Sequence, residues 1–261
     1  MKKIISSVVG LFLLATLFNF QVQASPNMAL RYPLRAIERP SVTPVGIISI
    51  EPRANGLKKY DVDLNTRFGI AEKIEGQFGY DGVTFNDPNS EKSANFKKTV
   101  TAGIRYNYLS INQISASLDF KLPIHIFDGE IIKDVTIGLP TVFYNDLMAG
   151  GILGDVFWLQ MRDNIEMSFD LAWWYGIQVY GNLWADISSS LGKFQMKNPN
   201  KQATWENLPF WKELPLTLTL LYCFNPFVDM TLSAGFDNAL KAKDTFNVGL
   251  GFNFRAGKLF G

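Results

Sequence analysis

The sequence predicts an all-β chain: a transmembrane, antiparallel up-and-down β-barrel of about twelve strands, a count that about ten or fourteen would also fit. Three observations lead there. Segments roughly ten residues long alternate apolar and polar positions through residues 43–256, the period of a strand whose side chains point to opposite faces. The connections between them divide into very short turns and long polar loops, which fall on opposite ends if successive strands reverse direction. The chain also opens with an export signal.

That signal is MKKIISSVVGLFLLATLFNFQVQAS. Lys2 and Lys3 form a basic start, an apolar stretch follows, and Val22-Gln23-Ala24 supplies the small-residue cleavage site. Residues 1–24 are therefore read as a signal peptide, and no cysteine follows the site to take a lipid. Removing the two lysines takes the formal charge from +1 to −1, which leaves no basic field for nucleic acid. About 237 residues remain, enough for one large all-β domain. No apolar run is long enough for a transmembrane helix, and Cys223, the only cysteine, has no intramolecular partner for a disulfide.

Residues 25–42 hold Pro26, Pro33 and Pro40 together with Arg31, Arg35 and Arg39. Proline at that density excludes a regular ladder, so this is an extended periplasmic segment, read as a linker into the sheet, with a plug or a periplasmic contact as the functional alternative. The strand candidates then run 43–53, 60–69, 73–84, 97–109, 112–124, 133–143, 151–160, 165–174, 183–191, 214–224, 227–236 and 245–255. Residues 257–261 form a tail. In 60–81, YDVDLNTRFGIAEKIEGQFGYD, one face carries Val62, Leu64, Phe68, Ile70, Ile74 and Phe78. The other carries Asp61, Asp63, Arg67, Lys73, Glu75 and Asp81. A soluble sandwich would bury the apolar face; a membrane barrel would turn it to lipid and the charges to the lumen. Strand length and the division of the loops favour the barrel.

The signal peptide, the RFGIAEKIE turn and the closing FNVGLGFNFR resemble Gram-negative outer-membrane β-barrel proteins of the porin and transporter-like type. The resemblance covers the mature chain as a pattern and defines a class without a substrate. It implies an outer-membrane location, contact with outer-membrane lipid and lipopolysaccharide, and handling by the outer-membrane assembly machinery. In that class the last strand ends on an aromatic that signals assembly; here Phe252 and Phe254 match, although residues 255–261 follow with Phe260 near the end.

Few motifs point to chemistry. His125, the only histidine, lacks a serine two residues on, and reads as a strand-end residue near the outer rim rather than a lipase base. One histidine and one cysteine make no zinc site. Met148-Ala149-Gly150-Gly151-Ile152 lacks the lysine and hydroxyl of a phosphate loop and reads as a turn. Asp87-Pro88-Asn89-Ser90-Glu91 has oxygens for calcium but reads as a solvated loop. Trp158, Trp173, Trp174 and Trp184 fall in strands, where interfacial belts are expected. Trp205, Phe210 and Trp211 fall in the long loop before residue 214 and are candidates for contact at the barrel mouth, with the outer leaflet or within the loop itself.

The expected function is passive transport of a small solute, without cofactor, metal or catalysis. Asp61, Asp63, Arg67, Glu75, Arg105, Asp119 and Lys121 are the candidate lumen-lining residues. A non-conducting barrel whose outer loops bind a surface partner is the alternative, and a lipid-acting membrane enzyme a third.

Overall fold

A computed structural model describes residues 32–57, 59–85, 93–125, 134–161, 165–198, 206–208 and 214–257. Its first strands are β1 (Ile47–Asn55), β2 (Tyr60–Ala71), β3 (Ile74–Phe85), β4 (Ala94–Phe96), β5 (Thr99–Ile111) and β6 (Ile114–His125). Next come β7 (Asp134–Gly138), β8 (Thr141–Tyr144), β9 (Met148–Ile152), β10 (Asp155–Met161) and β11 (Ile165–Tyr180). The last are β12 (Leu183–Asn198), β13 (Glu206–Leu208), β14 (Leu216–Asn225), β15 (Val228–Phe236) and β16 (Phe246–Gly257). Each neighbouring pair is antiparallel, and β16 pairs with β1 from Ile47↔Gly257 to Asn55↔Gly249. The sheet thus closes into a barrel of twelve staves. β7 with β8 makes one stave and β9 with β10 another, while β4 and β13 only extend hairpins beyond β3 and β12.

The two faces are inverted relative to a soluble protein. Ile104, Phe120, Leu218, Leu220, Leu232 and Phe246 are 39% to 53% exposed, whereas Glu75, Asp119 and Asp229 are at most 1% exposed. Water would penalise both halves of that arrangement; lipid outside and a polar interior reward both. Closure answers the remaining demand of the bilayer, because a closed sheet leaves no edge of unpaired N–H and C=O groups.

Tight turns close one end, at Glu72-Lys73, Asn112-Gln113, Gly181-Asn182 and Pro226-Phe227. At Pro226 the turn is fixed by Asn225, whose carboxamide oxygen accepts from the N–H groups of Phe227 and Val228. The opposite end carries the long connections. There, residues 237–245 fold into a 3-10 turn (Ala239–Lys241) and one helical turn (Ala242–Thr245), with the Asn238 side chain accepting from Leu240 N–H.

Several strands depart from the sequence pattern for identifiable reasons. The predicted strand 133–143 breaks at Leu139-Pro140, where proline has no N–H to donate. Its neighbour, predicted as 151–160, breaks beside it at Leu153-Gly154, with Leu153 at φ 60. The gap is bridged by Leu139 N–H to Leu153 carbonyl (2.9 Å) and Leu153 N–H to Ala172 carbonyl (3.1 Å). The glycine-rich stretch predicted as a turn is instead β9, paired with β11. Its glycine admits a neighbour: a Cβ on Gly151 would stand 2.1 Å from Trp174 Nε1. The predicted strands 165–174 and 183–191 extend to 16 residues each. A register shift between Asp170 and Ala172 opposite Gly192 (φ +144) lets that hairpin continue past the expected end. At about 3.3 Å per residue it outreaches the hydrocarbon layer.

Face assignment is testable by charge. Leu220→Arg, on the outward face of β14, should lower unfolding free energy in vesicles by about 2–4 kcal/mol if it sits near the midplane. Thr219→Arg, one residue away on the inward face, should cost far less in the same denaturant titration. Equal costs would contradict the assignment.

Candidate functional site in the barrel lumen

Neighbouring residues in register share a face, so the inner surface can be followed across the strands. Glu75 pairs with Arg105 and Arg105 with Asp119; Arg67 pairs with Gln77, Gln77 with Gly103 and Gly103 with Lys121. The charges are matched across strands. Arg105 grips Asp119 through two bonds (2.7 and 2.6 Å), and Lys121 reaches both oxygens of Asp155 (2.6 and 2.7 Å). Glu51 accepts from Arg67, from Arg53 (3.1 Å) and from Asn253 (3.0 Å). Bidentate guanidinium–carboxylate pairs are the strongest such contacts, and they fix both side chains.

The chain before β1 enters this interior at the end of the tight turns. Arg35 donates to the carbonyl of Asp146 (2.6 Å), in the β8–β9 turn. Ile37 N–H meets Gln178 of β11 (3.4 Å). Arg39 donates to both oxygens of Asp229 (2.7 and 2.9 Å) and to Cys223 Sγ (2.8 Å), reaching β15 and β14. Ser41 takes a bond from Asn107 of β5 on its hydroxyl (2.7 Å) and one from Arg105 on its carbonyl (3.4 Å). Thr43 donates both N–H and hydroxyl to Glu75 of β3 (2.7 and 2.6 Å). A segment that touches β3, β5, β11, β14 and β15 from the same face of a closed sheet lies inside it. Residues 32–43 are therefore not a free linker.

Asp229 is the strongest anchor. It is fully buried and also accepts from Arg255, itself 2% exposed at the side chain. Two guanidinium groups on one carboxylate leave a positive surplus, which the ring of Tyr32 faces at 4.2 Å from Arg255 and 5.3 Å from Arg39. Burial works against the charge of Arg39, but the bond and charge of Asp229 outweigh it and hold its pKa above the ordinary range.

Towards the long-loop end the interior opens. A cavity of about 530 Å3 is lined on one side by Arg53, Asn55, Asp63, Asn65, Asp81 and Lys97, and on the other by Thr217, Thr219, Thr231, Ser233, Gly249 and Gly251. A second, of about 250 Å3, is lined at mid-height by Val142, Asp170, Ala172, Trp174, Ser188 and Ser190 among others, and shares Thr217 with the first.

The sequence-predicted lumen residues fall in different parts of this interior. Glu75, Arg105 and Asp119 meet around the inserted segment, Arg67 joins Glu51, and Lys121 joins Asp155. Asp63 faces the large cavity, and Asp61 accepts from Thr84 and pairs with Lys97 (3.3 Å) nearer the rim. Sequence reasoning missed Glu51, Asp155, Asp229, Arg255 and the docking role of Arg39. Their signal was a charge at an inward parity, but parity does not give partners; register does. The tryptophans need correction. Trp158 is in register with the buried Ser168, Trp174 lines the smaller cavity, and Trp184 is 6% exposed with its indole N–H on Asp186 (3.0 Å). These three face inward rather than forming a belt. Consecutive Trp173 and Trp174 could never both face lipid.

His125 stands at the long-loop end between Thr99 (Oγ1 to Nδ1, 3.4 Å) and Asp134 (Nε2 to Oδ2, 3.1 Å). The order is hydroxyl, imidazole, carboxylate, but the hydroxyl contact is beyond ordinary hydrogen-bond length for activation. It ties three strands together. Phe252 and Phe254 stack at 6.0 Å on β16. Trp205, Phe210, Trp211 and the calcium-like stretch 87–91 lie outside the described residues.

No family model matches the chain, and no curated protein matches it in sequence. Solved structures do match in fold. The NanC porin aligns at 8% identity and a TM-score of 0.52, covering 81% of this chain and 100% of that one. The KdgM porin in complex with disordered oligogalacturonate aligns at 9% identity and 0.51, over 79% and 98%. The COG4313 outer-membrane channel from Pseudomonas putida F1 aligns at 11% identity and 0.50, over 82% and 97%. The chain thus has the fold of an outer-membrane, porin-like β-barrel.

Docking of the segment is measurable. Arg39→Ala should raise amide hydrogen exchange at Ile37 and Thr43 by about a hundredfold or more, because removing one partner of a buried pair costs roughly 3–5 kcal/mol. Fast exchange there already in the unaltered protein would mean that the segment is undocked.

Proposed function

We propose that the chain is an outer-membrane channel for small polar solutes, narrowed at its periplasmic end by its own residues 32–43. The observation that carries this reading is the polar, charge-matched interior, which widens into a solvent-sized cavity at the long-loop end. A barrel that served only as an anchor would gain nothing from that space. Tight turns face the periplasm and long loops the exterior in this orientation, as in barrels of this class. Residues 1–24 act as the export signal, Phe252 and Phe254 as the cue for the assembly machinery, and the outward apolar face meets lipid and lipopolysaccharide. Asp61, Asp63, Arg67, Glu75, Arg105, Asp119 and Lys121 set the field along the lumen, and the residues around Ser41 and Thr43 hold its narrowest level.

KdgM is described with an oligogalacturonate, a chain of acidic sugars. In this lumen Arg67, Arg105 and Lys121 are each already held by a carboxylate. That balance argues for neutral or zwitterionic solutes over polyanions. The docked segment also favours a second reading, in which the barrel conducts little and its outer loops bind a surface partner.

Planar-bilayer recordings separate the two. The full mature protein should give small, discrete conductance steps, and deletion of residues 32–43 should enlarge them several-fold. Silence from both forms, with folding verified by heat-modifiable mobility, would overturn the channel reading and favour the loop-binding one.

A further inference from the structure

The two cavities meet at Thr217, which borders both, and their walls differ in chemistry. The outer wall on β14–β16 presents Thr217, Thr219, Thr231 and Ser233, hydroxyls that both donate and accept. Facing it, Asn55 and Asn65 offer carboxamides of the same dual character, while the cations beside them are committed. Arg53 binds Glu51 (3.1 Å) and Lys97 binds Asp61 (3.3 Å). With Asp63 and Asp81 also on this wall and its cations already paired, the cavity disfavours an anionic solute and offers a neutral polyol many partners.

The inner cavity supplies the complementary feature. Trp174 borders it, kept in place edge-to-face against Trp184 (6.3 Å between ring centres) and seated over Gly151, where a side chain would collide with the indole. Around the same space stand Ser188, Ser190 and Asp170, the last accepting from Ser190 at 2.5 Å. An indole with hydroxyls and a carboxylate at its margin suits a ring that is apolar on its faces and hydroxylated on its rim. That is the shape of a pyranose.

We infer that the lumen between the outer mouth and the docked segment is a binding site for a short uncharged oligosaccharide, one sugar over Trp174 and the next against the Thr217–Thr231 wall. The inference rests on the channel reading and narrows its solute. Cavities of about 530 Å3 and about 250 Å3 that meet at Thr217 are of the size of small-ligand sites and exclude long chains.

Isothermal titration of the folded mature protein in detergent, with maltotriose as the neutral probe and trigalacturonate as the acidic one, tests it without requiring conduction. Maltotriose should bind and trigalacturonate should bind at least about tenfold more weakly. Trp174→Ala should weaken maltotriose about tenfold and Trp174→Phe should restore most of the loss. Thr231→Val, a milder change on the opposite wall, should weaken it as well, and serves as the test where Trp174→Ala does not fold. No heat of binding from maltotriose, or binding indifferent to both walls, would overturn the site. Conduction without sugar binding would sink this inference alone, whereas binding without conduction in either form of the barrel would sink only the channel.

Discussion

A segment crossing hydrocarbon has no water to satisfy its backbone, so every N–H and C=O must find a partner within the protein. The pairing of β16 with β1 meets that demand, and much else follows from it. Once the sheet closes, one face must meet lipid and the other must enclose a volume. Period-2 alternation then sends Leu218, Leu220 and Leu232 outward and Glu75, Asp119 and Asp229 inward. The interior becomes a polar core, and its stability rests on matching charge to charge.

That matching is not uniform along the axis. At the tight-turn end the inserted segment enters the lumen and carboxylates are consumed in binding it: Glu75 by Thr43, and Asp229 by Arg39 with Arg255. Further along the axis the pairs run between strands, as in Arg67–Glu51 and Lys121–Asp155. At the long-loop end hydroxyls and amides replace ion pairs, and space appears. Burying two guanidinium groups around one carboxylate is costly unless its geometry is satisfied throughout. A cluster of that kind therefore serves position better than stability, and the thing positioned is the segment inside the lumen.

Much of this was legible in the sequence. Alternation and strand length gave the barrel, and the division of turns separated its two ends, because both arise from local geometry. What escaped needed knowledge of neighbours. The break at Leu139-Pro140 and Leu153-Gly154 depends on two adjacent staves failing together. Gly150 and Gly151 look like a turn until Trp174 and Tyr175 are known to lie beside them. Arg39 lies in a proline-rich stretch with no periodicity, and its partner Asp229 is 190 residues away. Proline excludes a ladder but says nothing about whether an extended chain hangs free or threads a pore. The inward tryptophans were nearer to hand, since the Trp173-Trp174 pair alone requires one of them to face the lumen.

A cross-link decides whether residues 32–43 occupy the lumen. Ser41 and Asn107 are hydrogen-bonded side chain to side chain at 2.7 Å. With both replaced by cysteine in a Cys223→Ser background, the barrel in lipid vesicles should form an intramolecular disulfide in high yield under mild oxidant. Neither thiol should then react with a water-soluble maleimide until reductant is added. Failure to cross-link, with both cysteines freely labelled in a folded barrel, would place the segment outside the lumen and contradict the account.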